Sequence, residues 1–292
     1  MFKYLCFSLT LLFAIQVHAA DTLARIKERK TIVIAHREAS VPISYLSEDS
    51  KPIGYAMDIC SKVVERIKRD LKQPQITLSY LLVNSSNRFS AIQDASADLE
   101  CGTTANTAER RKQVAFSIPY FFSATRFLIK ADSSIKNWSD LTQKRVAIVR
   151  GSTASGLLRQ LTQLKISELK LMEVSHSRAG FELLQEGQVD ALVAEEVVLA
   201  GLRASMDSTQ QWKIVGEGIG IEAQTVMFAK DDPVLKVLVD KEIARMINEG
   251  ELVKIYDKWF TQALPGSGVN LALPMSFLLR DSLRFPSDKV LN

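Results

Sequence analysis

The chain has 292 residues, with 37 Lys and Arg against 33 Asp and Glu and a formal net charge of +4. The two signs are mixed along its length, so the sequence lacks the clustered basic footprint with interleaved aromatics that nucleic acid requires. Three histidines and three cysteines do not supply a zinc centre at ligand spacing, and no metal or cofactor is expected.

Lys3, the apolar run Leu5 to Val17 and the small-residue motif Val17-His18-Ala19 read as a secretory signal over residues 1–20. About 13 apolar residues fall short of the ~20 that span a bilayer, so cleavage rather than anchoring is expected. No later segment has an apolar run long enough to cross a membrane, and the mature chain is expected in the periplasm. What remains is long enough for one large domain or two ordinary ones, each with a core. Cys6 leaves with the signal, and Cys60 and Cys101 are then the remaining pair. In an oxidising compartment they form either a disulfide or two buried thiols, and sequence spacing does not choose between these.

Short β-branched runs alternate with amphipathic helical patterns, which makes the class α/β, with a parallel-type sheet and crossover helices. The strands are expected at Thr31 to Ala35, Ile76 to Val83, Asp98 to Cys101, Phe127 to Lys130, Arg145 to Val149, Leu169 to Val174, Val189 to Ala194 and Thr225 to Ala229. A helix from Met57 to about Leu71 puts Ile59, Val63, Val64 and Ile67 on one face. A second runs from Val234 to Asn248 and stops before Gly250, and a third runs from Leu252 to Phe260. Gly216-Glu217-Gly218-Ile219-Gly220 has no helical pattern after it and reads as a turn. Pro265, Gly266 and Gly268 open a tail expected to be irregular.

Loops that follow strands carry the chemistry, because ligands of open α/β sheets bind at the carboxyl ends of strands. His36-Arg37-Glu38 follows the first strand, Ser85-Ser86-Asn87-Arg88 the second, and Gly102-Thr103-Thr104-Ala105-Asn106 the third, with Arg110 in the next helix. Gly151-Ser152-Thr153 stands between a strand and a helix, where unpaired N–H groups suit an anion. Ser152 or Thr153 taken alone is by default an N-cap, and each arginine taken alone is by default a surface charge. Three arginines after three strands are a different matter, since each guanidinium fork fits a carboxylate. His176 at a strand end is either a pocket donor or a helix cap. Glu195 and Glu196 end another strand, either facing an ammonium or solvated. GxSxG and P-loop motifs are both missing, so no catalytic residue is expected.

These residues bring a resemblance into view. HREASVPISY at 36–45, GYAMDI at 54–59, SSNRFSAIQ at 85–93, DLECGTTANTAERRKQVAFS at 98–117, RGSTAS at 150–155, KDDP at 230–233, YDKWF at 256–260 and the ending PSDKVLN at 286–292 carry it. Over nearly the whole mature chain the sequence resembles the periplasmic amino-acid-binding proteins of ABC transporters, solute-binding protein family 3, and within it the glutamate/aspartate branch. The resemblance implies a two-lobed fold with two crossing hinge strands: lobe 1 over 21–123 and 225–292 with a C-terminal tail, lobe 2 over 124–224. It implies that Arg110 clamps the ligand α-carboxylate with help from Thr103, Ser152 and Thr153, while Arg37, Ser85, Arg88 and His176 read a side-chain carboxylate. At the amine end the family's threonine and aspartate are here Ala105 and Glu195, which leaves ammonium recognition open. The partners implied are L-glutamate or L-aspartate and an inner-membrane ABC permease, with no nucleic acid, and the chain is expected to be a monomer. Because the fold also hosts a periplasmic dehydratase, an enzyme using Glu195 as acid is the alternative.

Overall fold

The structure, a computed structural model, describes residues 21–163, 168–205 and 209–289. The expected signal segment lies outside the described residues. From the N-terminus, α1 (Thr22–Arg29) leads into β1 (Thr31–His36), followed by the short strands β2 (Ala39–Ser40), β3 (Ser44–Leu46) and β4 (Pro52–Ile53). Next come α2 (Tyr55–Asp70), β5 (Thr77–Leu82), α3 (Arg88–Gln93), β6 (Leu99–Glu100), a 3-10 turn at Arg110–Lys112 and β7 (Val114–Phe116). The middle of the chain holds β8 (Phe121–Lys130), β9 (Arg145–Val149), α4 (Thr153–Gln163), β10 (Lys170–Val174), α5 (Ser177–Gln185), β11 (Ala191–Glu195), α6 (Glu196–Ala204) and β12 (Trp212–Gln224). The chain then returns through β13 (Met227–Ala229), α7 (Pro233–Asn248), α8 (Glu251–Phe260) and α9 (Phe277–Arg284).

Two five-stranded sheets result, in the orders β5-β1-β6-β13-β7 and β10-β9-β11-β8-β12, with β2-β3-β4 as a small third sheet. Neither large sheet is purely parallel. In the first, β5, β1 and β6 run parallel while β13 is antiparallel to both β6 and β7. In the second, β10, β9 and β11 run parallel while β8 lies antiparallel to β11 and β12. The expected parallel sheet is thus corrected to a mixed one, because β8 and β12 each connect two lobes instead of following a crossover helix. Where they cross, Phe121 pairs with Gln224, the Tyr120 N–H donates to Gln224 O at 3.1 Å, and the Ser117 N–H donates to Val226 O at 3.0 Å.

The helices follow their apolar spacing. On α2, Ile59, Val63, Val64 and Ile67 are buried, and α7 and α8 bury Leu235, Leu238, Ile243, Met246, Leu252, Ile255 and Trp259. Aromatic packing closes this layer: Tyr55 meets Phe260 edge-on at 5.2 Å, and Phe121 stacks on Phe260 at 5.1 Å. Cys60 on α2 and Cys101 just after β6 are joined as a disulfide, which settles the two open readings and ties the helix layer to the loop at Thr103.

Two further expectations change. The glycine segment 216–220 is the interior of β12, not a turn; the register against β8 shifts between Val215 and Ile219 and again between Ile219 and Glu222. Glycine belongs at such irregularities: Gly216 has φ +81°, and a Cβ there would meet the Phe127 ring at 2.3 Å. In the tail, α9 is helical because Ser276 Oγ accepts from the Leu279 N–H at 3.2 Å and Leu279 is buried in the core. Beyond it, Asp288 is held by Lys236 at 2.9 Å, and its carbonyl accepts from Asn106 Nδ2 at 3.3 Å and from Arg111.

The two lobes touch. Gly201 on α6 packs against the backbone of Val41 so closely that a Cβ would lie 2.1 Å from the Val41 carbonyl oxygen. One hydrophobic cluster runs from Ile32, Tyr55 and Phe228 through Phe121 to Leu128, Phe181 and Leu192.

Candidate functional site

Between the lobes lies a cavity of about 320 Å³. Six of the nine expected residues line it: Arg37, Ser85 and Thr103 from the first lobe, and Ser152, His176 and Glu195 from the second. Arg88, Arg110 and Thr153 are not on that lining, but contacts with residues around it tie them to the same region.

Arg37 leaves the end of β1, where the parallel pairing with β5 and β6 carries it toward the loop after β5. Its backbone N–H donates to Ser44 Oγ at 3.0 Å, and its Nη2 donates to Ser85 Oγ at 2.5 Å. Nη1 lies 3.9 Å from Glu100 Oε1. Arg88, the first residue of α3, is only 2% exposed. It donates to the Ser85 carbonyl and, at 3.4 Å, to the Gly151 carbonyl of the opposite lobe. Its Nε has no hydrogen-bond partner among the described residues. Arg110 donates from Nη1 to Ala105 O at 3.0 Å. The guanidinium carbons of Arg88 and Arg110 both lie over the Phe89 ring, at 4.7 and 5.4 Å, a cation–π arrangement that fixes both heads.

Arg37 and Arg88 are therefore buried together, with Arg110 half-buried beside them, instead of dispersed over the surface. Burial holds Arg88 well below the ordinary arginine range, and the like charges of Arg37 and Arg110 push it the same way. Arg37 and Arg110 are lowered chiefly by burial as well, with Glu100, Glu195 and, for Arg110, Glu222 opposing. Glu100 is fully buried on β6; burial raises its carboxyl, while Arg37 and Arg88 pull it back. Among the described residues neither of its oxygens has a hydrogen bond within ordinary geometry, and its ion contact with Arg37 is long.

On the other side of the cavity, the capping readings of the helix starts hold, and the capping residues also line the cavity. Ser152 Oγ accepts from the Ser155 N–H at 3.1 Å, capping α4, and Ser152 also faces the cavity. His176 caps α5 through Nδ1, which accepts from the Ala179 N–H at 3.1 Å, and its Nε2 sits 4.0 Å from Glu38 of the first lobe. Glu195 reaches the cavity from the end of β11, while Glu196 turns away to Arg126 at 2.6 Å. Ala105 is buried and bridges to Gln224 beside the lobe crossing.

Sequence reasoning passed over Glu100 and Glu222. Glu222 sits on β12 and accepts from the Thr153 hydroxyl at 2.6 Å. Burial raises its carboxyl to about 7; Glu195 adds to the rise, and the Thr153 hydrogen bond, Arg110 and Arg88 oppose it. Taking 216–220 as a turn hid this residue. The alternation Glu222, Gln224 at the end of a strand was the one signal that pointed to it.

Residues 32–262 match the bacterial extracellular solute-binding proteins, family 3. The chain belongs to this family. The family 3 chain is 39% identical, over 92% of its length and 89% of the relative's, to the L-glutamate/L-aspartate-binding protein of Pseudomonas aeruginosa. It is 35% identical to the glutamate/aspartate import solute-binding protein of Escherichia coli K12, over 94% of this chain and 91% of that one. Among solved structures, an ancestral arginine-binding protein bound to glutamine superposes with a TM-score of 0.71 at 26% identity, covering 80% of this chain and 98% of that one. The relatives are named as binding proteins, two of them for glutamate/aspartate import, and this chain is a solute-binding protein of family 3, not an enzyme. The dehydratase alternative has less support from these relatives.

Proposed function

We propose that this protein captures L-glutamate or L-aspartate in the periplasm, after removal of residues 1–20, and passes it to an inner-membrane ABC permease. The observation that carries this reading is the convergence of Arg37 and Arg88, both buried, and half-buried Arg110 around one interlobe cavity. A buried guanidinium keeps its charge at a desolvation cost that an anionic ligand offsets through paired hydrogen bonds. Three of them suit a molecule with two carboxylates.

Within this reading Arg110, Thr103, Ser152 and Thr153 take the α-carboxylate, Arg37, Ser85, Arg88 and His176 take the side-chain carboxylate, and Glu195 faces the ammonium. Lobe 1 comprises 21–123 and 225–292 with its C-terminal tail, and lobe 2 comprises 124–224; the chain works as a monomer. Relatives named for glutamate and aspartate support the ligand class.

A ligand that binds only the native state stabilises it by mass action, by about 4 kcal/mol at ~1,000 times its dissociation constant. Thermal melting with saturating L-glutamate or L-aspartate is therefore expected to show a clear rise. Equal or larger rises with glutamine, arginine or leucine would remove the acidic-ligand assignment, because the additional arginines would then have no second carboxylate to meet.

A further inference from the structure

We propose that Glu222 is part of the ligand site and takes up a proton when an acidic ligand is seated, releasing the Thr153 hydroxyl to the ligand's α-carboxylate. The inference rests on the ligand reading above and adds to it a residue and a proton.

The geometry is a short chain of contacts. Thr153 opens α4, and its hydroxyl donates to Glu222 Oε2 at 2.6 Å. Gln224, two residues along the same strand and so on the same face as Glu222, bridges to Ala105. The carbonyl of Ala105 accepts from Arg110 Nη1 at 3.0 Å. Glu222 therefore stands beside two groups, Thr153 and Arg110, that the α-carboxylate uses.

The charged groups that act on Glu222 come from every element around it. Arg110 from the 3-10 turn and Arg88 from α3 are positive, and Glu195 from the end of β11 is negative. Arg37 and Glu100 belong to the same arginine cluster on the first-lobe side. The residue opposite Glu222 on β8 is the uncharged Ser123.

Two carboxylates in one desolvated site do not both stay ionised; the one with the greater proton affinity takes the proton. An α-carboxyl beside an ammonium is the stronger acid, so the proton goes to Glu222. Burial has already brought Glu222 to about 7, and the incoming carboxylate raises it further. Once protonated, the Glu222 carboxyl gains a donor and becomes a weaker, uncharged acceptor, so it competes less with the ligand carboxylate for the Thr153 hydroxyl. For the sign, the proton is bound more tightly in the complex than in the free protein. Affinity is therefore complete below about pH 7 and declines as pH rises above it.

Calorimetric titration of the mature protein with L-glutamate near pH 7.5, in phosphate and in Tris, reads the proton directly, because the two buffers release protons with different enthalpies. The expected uptake is roughly 0.5 to 0.8 proton per ligand, and none for Glu222→Gln. Over about pH 6.5 to 8.5 the native protein is expected to lose about tenfold in affinity, against less than about threefold for Glu222→Gln. Thr153→Val supplies a second reading should Glu222→Gln fail to fold: loss of the hydroxyl that favours the carboxylate moves the fall in affinity to higher pH. A flat profile in the native protein, or the same proton uptake in Glu222→Gln, overturns the proposal. Absence of any heat with glutamate or aspartate at every pH would overturn the ligand assignment itself, which is a distinguishable result.

Discussion

Arg88 is the residue whose environment departs furthest from what its type prefers. It is nearly sealed from water and faces two like charges, yet its Nε finds no hydrogen-bond acceptor among the described residues. Truncating it removes its contacts with Ser85, Gly151 and the Phe89 ring together. Arg88→Ala is expected to weaken glutamate and aspartate by roughly 2 to 5 kcal/mol, and their amides by clearly less, whereas Arg110→Ala weakens all of them. Calorimetry on the two variants with glutamate and glutamine decides it; small equal losses would mean that neither guanidinium meets the ligand. The arginines were legible as a set because each follows a strand, and strand ends are where such folds bind. Their burial was not, since nothing local distinguishes a buried arginine from a solvated one. The glutamates show the complement: Glu195 stood out at a strand end, while Glu100 and Glu222 matter only through neighbours distant in sequence.

At the scale of elements, periodicity located α2, α7 and α8 closely because each has one apolar face, and β1 and β9 because each is a short apolar run buried on both faces. It failed on β8 and β12. Both are longer than their apolar runs, and β12 alternates poorly because its glycines sit at register shifts and much of its surface is exposed. The contact between α6 and the loop at Val41 was equally invisible, as it depends on how the two lobes meet. Here Gly201 is required by proximity, and the walls it brings together, Ser40 and Val198, both line the cavity. Gly201→Ala would force the lobes apart. Overpacking of this kind costs roughly 1 to 3 kcal/mol, or about fivefold and upward in affinity. Since the strain arises between lobes, the melting temperature of the ligand-free protein is expected to change little. An affinity equal to that of the native protein would show that α6 need not approach Val41 for binding.

Across the whole molecule, what the resemblance implied about the fold is present: two α/β lobes, two connecting strands and a chain that returns to the first sheet. Composition and length alone allowed two lobes without choosing them. That return has a consequence for how the chain acquires its shape. β13 lies between β6 and β7 in the first sheet, so that sheet stays open at its middle until the residues of the second sheet have all been passed. The second sheet, by contrast, is drawn from one uninterrupted stretch, 121–224. Closing a long loop is entropically slower than joining neighbours. In refolding followed by pulsed hydrogen exchange, amides of β9, β10 and β11 are expected to gain protection before those of β6 and β13; the reverse order would contradict this. Until β13 arrives, β6 and β7 present unpaired backbone to any strand that passes, the condition under which chains aggregate. A nascent chain interrupted before Met227 would carry a finished second half and an adhesive first one, so its vulnerability to aggregation and proteolysis would end with the insertion of three residues, Met227–Ala229.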